Sequence, residues 1–375
     1  MNPGPLSGLR FSAARSRGRR YPEPEHPYRN AFQRDRDRIV HARAFRRLED
    51  KTQVFPPDLS DHFRNRLTHT IEVAQIARTV AGNLGLDEDL TEALALAHDI
   101  GHPPFAHAGE EELNRQMGRF ADRFDHNLHA LRIVESFEQR YARFPGLNLT
   151  FEVREGIIKH SRDYAPGELP EAEPYLPGLR PPLEAQLIDP ADEIAYTTAD
   201  LDDAFSAGLF GLDEVVAAVP GYASLAGQIT RTLPPATSER VRFQEILRRL
   251  IDALVTGLIE GTRVAAEAAG LSDPEDVRRH TRRLACFTPD TAPLVKDLKA
   301  FLHARVYSSE PVQQERRRSC ALIAALFEYY LSHPEHLPET YYRQAASQPL
   351  YRVVCDYIAG MTDGFLRRTC QRLGL

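Results

Sequence analysis

The sequence predicts an all-α protein, and three observations carry that prediction. Apolar residues recur at helical spacing along most of the chain, no stretch shows the alternating pattern of a strand, and proline or glycine interrupts the helical stretches. The chain has 375 residues, of which 42% are hydrophobic and 27% charged, as in globular proteins with a sizeable core. We therefore expect a helical core followed by a C-terminal helical extension.

The helices are predicted from apolar periodicity and from the residues that start or stop a helix. The first predicted segment is 30–48, and Pro56-Pro57 and a loop at 58–61 separate it from the next one. The following segments are His62–Leu84, ended by Gly85, and Asp87–His98, after which Pro103-Pro104 prevents continuation. Further segments are predicted at 110–117, 127–141 and 151–160. A further helix is predicted to begin with Asp189 as N-cap and Pro190 as its first residue. From Leu212 onward the chain is again mostly helical, with breaks at prolines.

Charge and composition exclude several classes of protein. A net charge of −6 argues against a general nucleic-acid coat, although arginines crowd residues 1–27, which we expect to be a flexible leader. The four cysteines are scattered without C-x-x-C spacing, which indicates reduced thiols in a cytoplasmic protein. No apolar run reaches the length of a membrane span, and the basic start lacks the apolar segment of a secretory signal.

A metal site is predicted around His98-Asp99, at the end of an apolar helix. A buried aspartate and histidine are costly unless they are paired or bind a cation. His69 lies 29 residues earlier, a distance that fits one helix, a turn and an antiparallel partner. Asp192 begins a stripe with Tyr196 and Asp200 on one helix face. Two histidines and two aspartates suit Mn²⁺, Mg²⁺ or Fe²⁺ rather than structural zinc. Taken singly, each residue also fits an ordinary role in packing or helix capping.

A second polar group follows the first. His107 and Glu110 lie three residues apart, so that one helical turn lets the carboxylate orient the imidazole for general acid–base or nucleophilic chemistry. His102 precedes them, and His126 and His129 lie three apart further on. The rigid Pro103-Pro104 spacer between the two groups favours catalysis over binding alone.

Together these residues resemble the HD superfamily of phosphohydrolases, and in particular the deoxyguanosine triphosphate triphosphohydrolase family. The resemblance covers the chain from about Arg29 to Tyr342. It is carried by the ordered set His69, His98-Asp99 and Asp192 and by the blocks Arg29–Ile39, Phe45–Leu48, Lys51–Phe55, His98–His107, Gly146–Thr150 and Lys159-His160.

The resemblance implies an HD-domain core over residues 28–210 and a C-terminal helical region over 211–375 that completes the nucleotide pocket and oligomer contacts. It implies hydrolysis of a dNTP, either dGTP or several dNTPs, to a deoxynucleoside and inorganic triphosphate. The metal ligands would be His69, His98, Asp99 and Asp192, and the catalytic group His107, Glu110 and His126. Substrate contacts would come from Arg66, Tyr196 and Asp200. Lys299, His303 and Tyr307 align less securely with phosphate and sugar contacts, and their i, i+4, i+8 spacing predicts that they share one helix face.

Several alternatives stay open. The same metal ligands would serve another HD phosphohydrolase, such as a nucleotidase or phosphodiesterase, and the basic leader would also fit a regulator that binds nucleotides or, weakly, single-stranded nucleic acid. The family resemblance implies a homo-oligomer and allows a dNTP activator. His129 stands where the family is expected to have glutamine, and the leader has no recognisable counterpart. The roles of both remain open.

Overall fold

The structure, a computed structural model, describes residues 4–54 and 63–375. Every regular element in that part of the chain is helical, and its β-type pairing consists of four isolated bridges. The all-α prediction is therefore confirmed. Phe55, the Pro56-Pro57 break, the loop at 58–61 and His62 lie outside the described residues. No described helix combines the length and apolar character needed to cross a lipid bilayer.

The described residues contain eighteen α-helices, labelled α1 to α18 in chain order. They are α1 Ala31–Val40, α2 Arg43–Arg46, α3 Arg66–Leu84, α4 Glu88–Ala97, α5 Ala106–Gly118, α6 His126–Arg132, α7 Phe151–Ile158, α8 Leu183–Gln186, α9 Ile188–Ser206, α10 Leu212–Ala218, α11 Pro220–Thr230, α12 Glu239–Ala268, α13 Pro274–Arg279, α14 Thr291–Leu302, α15 Glu310–Ser332, α16 Glu339–Tyr342, α17 Leu350–Ala359 and α18 Asp363–Leu373. Helices α6 and α14 continue into π-helical turns at Ile133–Phe137 and His303–Tyr307.

The described chain forms two compact units, and each of them combines segments that are distant in sequence. The first unit contains residues 4–17, 71–95 and 160–310, and the second contains residues 18–54, 63–70, 96–159 and 311–375. Neither unit follows the boundaries predicted at 27/28 and 210/211.

In the first unit, α9 packs against both α12 and α14. The rings of Phe205 on α9 and Phe243 on α12 stack with their centroids 4.0 Å apart, and Leu201 and Leu250 are fully buried. This apolar face fixes the rotation of α9, whose other side carries Asp192 and Tyr196. In the second unit, α5 packs against α17 around an apolar cluster that also takes side chains from α15 and α18.

The N-terminal segment differs from the predicted flexible leader. Leu6, Leu9 and Phe11 are buried, and Arg10 pairs with Asp87 at 2.8 Å within the first unit. These buried apolar side chains and this ion pair hold the segment against the first unit. Apolar periodicity could not reveal this order because the segment contains only two short 3₁₀ turns, Ser7–Leu9 and Ala13–Arg15.

The predicted start of α9 was wrong. Leu183–Gln186 already form α8, so the chain reaches Ile188 in helical conformation and Leu187, not Asp189, occupies the N-cap position. The Asp189 carboxylate instead accepts a hydrogen bond from the Ser161 backbone N–H at 2.9 Å and pairs with His160 Nδ1 at 2.6 Å.

Candidate metal centre and active site

Two helix ends supply the first polar group of the second unit. His69 lies in the opening turn of α3, and His98 and Asp99 directly follow the last residue of α4. Leu94 and Ala97 on the apolar face of α4 are buried, and His98 and Asp99, which follow this helix, are therefore buried as well. The two helices therefore bring His69 and His98 to Asp99, as the spacing in the sequence led us to expect.

The three side chains form a set with the composition of a divalent-metal site. His69 Nε2 lies 3.9 Å from Asp99 Oδ2, and His98 Nε2 lies 3.4 Å from Asp99 Oδ1. One ligand atom from each residue falls within 4.8 Å of the other two, and all three residues are buried. Two imidazole nitrogens and a carboxylate oxygen suit Mn²⁺, Fe²⁺ or Mg²⁺ and leave coordination positions for water and substrate. The donor set therefore fits the cation that the resemblance implies.

Arg66, the first residue of α3, contributes a permanent positive charge beside this set. Its Nη1 donates to Asp99 Oδ2 at 2.6 Å, and its side chain is fully buried. Burial alone would raise the pKa of Asp99, but Arg66, followed by His98 and His102, holds that pKa well below its usual range. Asp99 is thus ionised and able to act as a metal ligand.

The second polar group joins α5 to α6. Glu110 Oε1 accepts hydrogen bonds from the His126 backbone N–H at 3.0 Å and from His126 Nδ1 at 2.7 Å. His107 Nδ1 lies 3.7 Å from Glu110 Oε2, beyond hydrogen-bond length, and its side chain is mostly exposed. Burial would raise the pKa of Glu110, but its contacts with His107 and His126 hold it well below the usual range. The carboxylate therefore orients His126 more tightly than the predicted His107.

His102 connects the two groups and was given no role by sequence reasoning. Its Nδ1 lies 3.0 Å from Asp99 Oδ1, and its ring stacks on that of His126 with centroids 4.0 Å apart. Burial and the nearby charges of Arg66 and His126 hold the pKa of His102 well below its usual range, so this imidazole is neutral. The sequence signal for it was the short spacing to Asp99 within the same turn.

Gly101 permits the close approach of these elements. A Cβ atom at this position would lie 2.0 Å from the His126 carbonyl oxygen and 2.5 Å from the Ala130 nitrogen. Only glycine therefore allows the start of α6 to lie against the turn that follows Asp99.

The first unit carries the other predicted site residues. The Tyr307 hydroxyl donates to Asp200, and Lys299 donates to Glu193 while also contacting the Tyr196 hydroxyl. Burial and the charge of Glu193 raise the pKa of Tyr196 to about 12, so its hydroxyl stays protonated. The π-helical turn at His303–Tyr307 interrupts the single helix face on which Lys299 and Tyr307 were predicted to lie.

The structure thus brings two sets of predicted residues together, each within its own unit. In the second unit the set comprises Arg66, His69, His98, Asp99, His107, Glu110 and His126. In the first unit Tyr196 and Asp200 on α9 meet Lys299 and Tyr307. Asp192 lies on α9 of the first unit, and its role as the fourth metal ligand stays a prediction.

His129, whose role the sequence left open, is buried in the second unit. Its ring lies between Phe124 and Phe137, and its Nδ1 is 3.5 Å from Asp356 Oδ1. Burial lowers its pKa, although Asp356 opposes that shift. The contact with Asp356 links α6 to α17, so His129 has a structural role in packing these two helices.

Comparison with known proteins agrees with this geometry. The HD domain matches residues 66–197, a span that contains all four predicted metal ligands, and the phosphohydrolase-associated domain matches residues 285–372. The chain is 46% identical to a deoxyguanosinetriphosphate triphosphohydrolase-like protein of Geobacter sulfurreducens, over 98% of this chain and 94% of that relative. Proteins of the same description from Geobacter metallireducens and Ralstonia nicotianae are each 44% identical, over 98% and 99% of this chain and 94% and 95% of the relatives.

Among solved structures, a hypothetical protein from Aquifex aeolicus is 16% identical and covers 82% of this chain and 79% of its own, with a TM-score of 0.32, too low to support an argument. The sequence relatives, in contrast, match the chain almost from end to end and at high identity. The buried His–His–Asp set and these relatives lead to one conclusion: the chain belongs to the deoxyguanosinetriphosphate triphosphohydrolase-like family of HD-domain phosphohydrolases.

Proposed function

We propose that this phosphohydrolase cleaves a dNTP, either dGTP or several dNTPs, into a deoxynucleoside and inorganic triphosphate. In this reaction water adds to the α-phosphorus, the bond from that phosphorus to the 5′-oxygen breaks, and the 5′-oxygen gains a proton. The observation that carries the proposal is the adjacency of the His69–His98–Asp99 set to the Glu110–His126 pair, with His102 in contact with both. One group suits a cation that binds a phosphate, and the other suits proton transfer.

His69, His98, Asp99 and, by prediction, Asp192 would hold the cation, with Mn²⁺ or Mg²⁺ as the first candidates and Fe²⁺ as a further one. When bound, a divalent cation polarises a phosphoryl oxygen and lowers the pKa of bound water. Arg66 keeps Asp99 ionised and places a guanidinium beside the same set, where it would neutralise negative charge on the phosphates.

Proton transfer is assigned to the second group. The ionised Glu110 accepts the Nδ1 proton of His126, which fixes the tautomer and leaves Nε2 of that ring for chemistry. His107 lies on the same face of α5 as Glu110 and is mostly exposed, so it would meet the substrate directly. One of these two imidazoles, in its protonated form, would donate to the departing 5′-oxygen.

Substrate selection is assigned to the first unit. Asp200 and Tyr307 would hold the deoxyribose, and Lys299 would contact the triphosphate. The ring of Tyr196 would lie where a ribose carries its 2′-hydroxyl and would exclude ribonucleotides sterically. A comparison of dGTP with GTP tests this role: equal turnover of both would refute it, whereas Tyr196→Ala is expected to raise activity on GTP relative to dGTP.

Product analysis tests the reaction itself. Metal-reconstituted protein is incubated with each dNTP singly and with mixtures, and the released phosphates are separated. Inorganic triphosphate together with deoxynucleoside supports the proposal, while pyrophosphate or orthophosphate identifies a different HD phosphohydrolase. Binding without turnover identifies a nucleotide-binding regulator. His126→Ala is expected to lose turnover while still binding nucleotide.

The same incubations test the proposed activator and assembly. A rate in the mixture that exceeds the sum of the single rates indicates an activating dNTP. Light scattering with and without nucleotide determines whether the protein forms the proposed homo-oligomer. A gel-shift titration with single-stranded DNA tests the weaker proposal that the N-terminal arginines bind nucleic acid.

A further inference from the structure

Two consecutive residues at the start of α5, its N-cap and its first residue, adopt a backbone conformation that side chains disfavour. Phe105 has φ 62° and ψ 30°, and Ala106 has φ 55°, both in the left-handed region. This turn leads directly into His107 and Glu110, so its geometry sets the direction in which α5 presents both side chains. Residues held in this region persist only where their surroundings over-determine them.

The restraint comes from α18, outside the residues matched by the HD domain. Asp363 Oδ1 accepts the Phe105 backbone N–H at 2.9 Å, and Asp363 Oδ2 accepts the Thr52 backbone N–H at 2.8 Å. The Asp363 side chain is buried, and the Arg367 guanidinium lies over the Phe105 ring, 4.8 Å from its centroid. One helix therefore restrains both the backbone and the side chain of Phe105.

Neighbouring contacts restrain the same turn from its other end. Lys51 donates to the His102 carbonyl and, at 3.3 Å, to the Ala359 carbonyl at the end of α17. A Cβ atom at Gly109 would lie 1.9 Å from the Pro104 carbonyl oxygen, so the loop packs directly onto the first turns of α5. The segment between Asp99 and His107 is thus attached to the C-terminal helices at both ends.

From these contacts we infer that Asp363 is a positioning residue, whose carboxylate holds the left-handed Phe105–Ala106 turn and thereby aligns His107 and Glu110 for catalysis. An acid in the first turn of a helix is also favoured by the helix dipole alone. That alternative does not account for the contacts, because both Asp363 oxygens accept N–H groups from other segments. The catalytic part of this inference rests on the proposed function.

The test compares two substitutions at the start of α18. Asp363→Asn preserves size but removes the charge and leaves one carbonyl oxygen for two N–H donors, so the hydrogen bond from the Phe105 N–H is either lost or replaced by a weaker neutral one. Thr362→Ala removes the N-cap of the same helix, whose hydroxyl accepts the Phe365 N–H at 3.3 Å, and leaves the Phe105 contact intact. Both variants weaken α18, but only the first releases the turn.

Hydrogen exchange gives a readout that needs no substrate. In Asp363→Asn the Phe105 amide is expected to exchange at least about tenfold faster than in the unmodified protein, whereas Thr362→Ala leaves it within about twofold. Unchanged exchange at Phe105 in a folded Asp363→Asn protein would overturn the inference. This result is independent of whether dNTP is the substrate.

Kinetics test the catalytic consequence on whichever dNTP the protein hydrolyses. Asp363→Asn is expected to lower kcat by about 10- to 100-fold with KM changed less than about threefold, because alignment rather than binding is lost. Thr362→Ala is expected to keep kcat within about twofold. Equal losses of kcat in both variants would show that Asp363 acts only through the stability of α18. If the unmodified protein hydrolyses no dNTP, the proposed function fails while the exchange result stands.

A rescue variant covers the case in which Asp363→Asn is poorly folded. Glycine adopts left-handed φ without the penalty that alanine carries, so Ala106→Gly lowers the restraint that the turn requires. The double variant Asp363→Asn/Ala106→Gly is expected to recover at least about threefold of the lost kcat, since one of the two strained positions is relieved and the turn needs less restraint. A double variant with no recovery in a folded protein would count against the positioning role.

Discussion

Substituting Gly101 by alanine tests whether α6 must lie against the metal-site turn. The added Cβ would lie 2.0 Å from the His126 carbonyl oxygen, whereas real contacts of this kind do not fall below 3.0 Å. The start of α6 must therefore move by about 1 Å, and a displacement of that size in a catalytic group costs about 10²-fold in rate. Overpacking adds a loss of about 1–3 kcal/mol in the free energy of unfolding.

The assay is kcat for dNTP hydrolysis, measured well below the melting temperature, with metal content determined in parallel. Gly118→Ala is the matched control, because Gly118 ends α5 and has open space where a Cβ would be added. The control is expected to keep both kcat and stability. A folded Gly101→Ala protein that retains metal and kcat within about twofold would refute the argument that the position of His126 determines the rate.

Three further predictions concern charge. Glu110→Gln is expected to lower kcat by about 10²-fold or more, because a neutral amide no longer stabilises the imidazolium beside it, while the exposed Glu111→Gln serves as a silent control in the same assay. Burial raises the pKa of Glu184 to about 7, so between pH 4.5 and 7 the folded state holds a proton that the unfolded chain has released. Stability should therefore fall by about 3 kcal/mol as pH rises through that window, and denaturation of Glu184→Gln at pH 5 and pH 8 should show that this dependence is gone; an unchanged pH dependence would contradict it. Removal of the metal by a chelator is expected to abolish turnover and lower the melting temperature, and added Mn²⁺ is expected to restore both. In a metal titration, Asp192→Asn should weaken metal binding at least about tenfold, whereas substitution of the exposed Asp213 by asparagine should leave it unchanged. Equal metal affinities of the two variants would remove Asp192 from the ligand set.

The fold and the grouping of His69, His98 and Asp99 could be predicted from the sequence because both depend on local patterns. Helical periodicity located α3 and α4 to within a few residues, and the 29-residue spacing placed His69 opposite His98. The adjacency of His98 and Asp99 at a helix end is likewise a local feature. These local patterns were sufficient because the apolar face of α4 alone determines that the residues at its end are buried.

Contacts between distant segments could not be predicted in this way. Glu110 bonds to His126 across 16 residues, and no periodicity relates them. The bond between Asp363 and Phe105 spans 258 residues. The N-cap at Asp189 was wrong because a local signal was overridden by the preceding helix, and the leader was misjudged because its few apolar residues find partners that are remote in sequence.

The composition of the second unit has a consequence for biosynthesis. Residues 18–54 and 63–70 share their unit with residues 311–375, so about 240 residues are translated between residue 70 and residue 311. At about 5–20 residues per second this interval lasts roughly 12–50 s, during which Arg47, Lys51 and Thr52 lack the hydrogen-bond partners that they find between α17 and α18 in the folded unit. We therefore expect the nascent chain to rely on ribosome-associated chaperones, and the unit to mature only once its last helices have emerged.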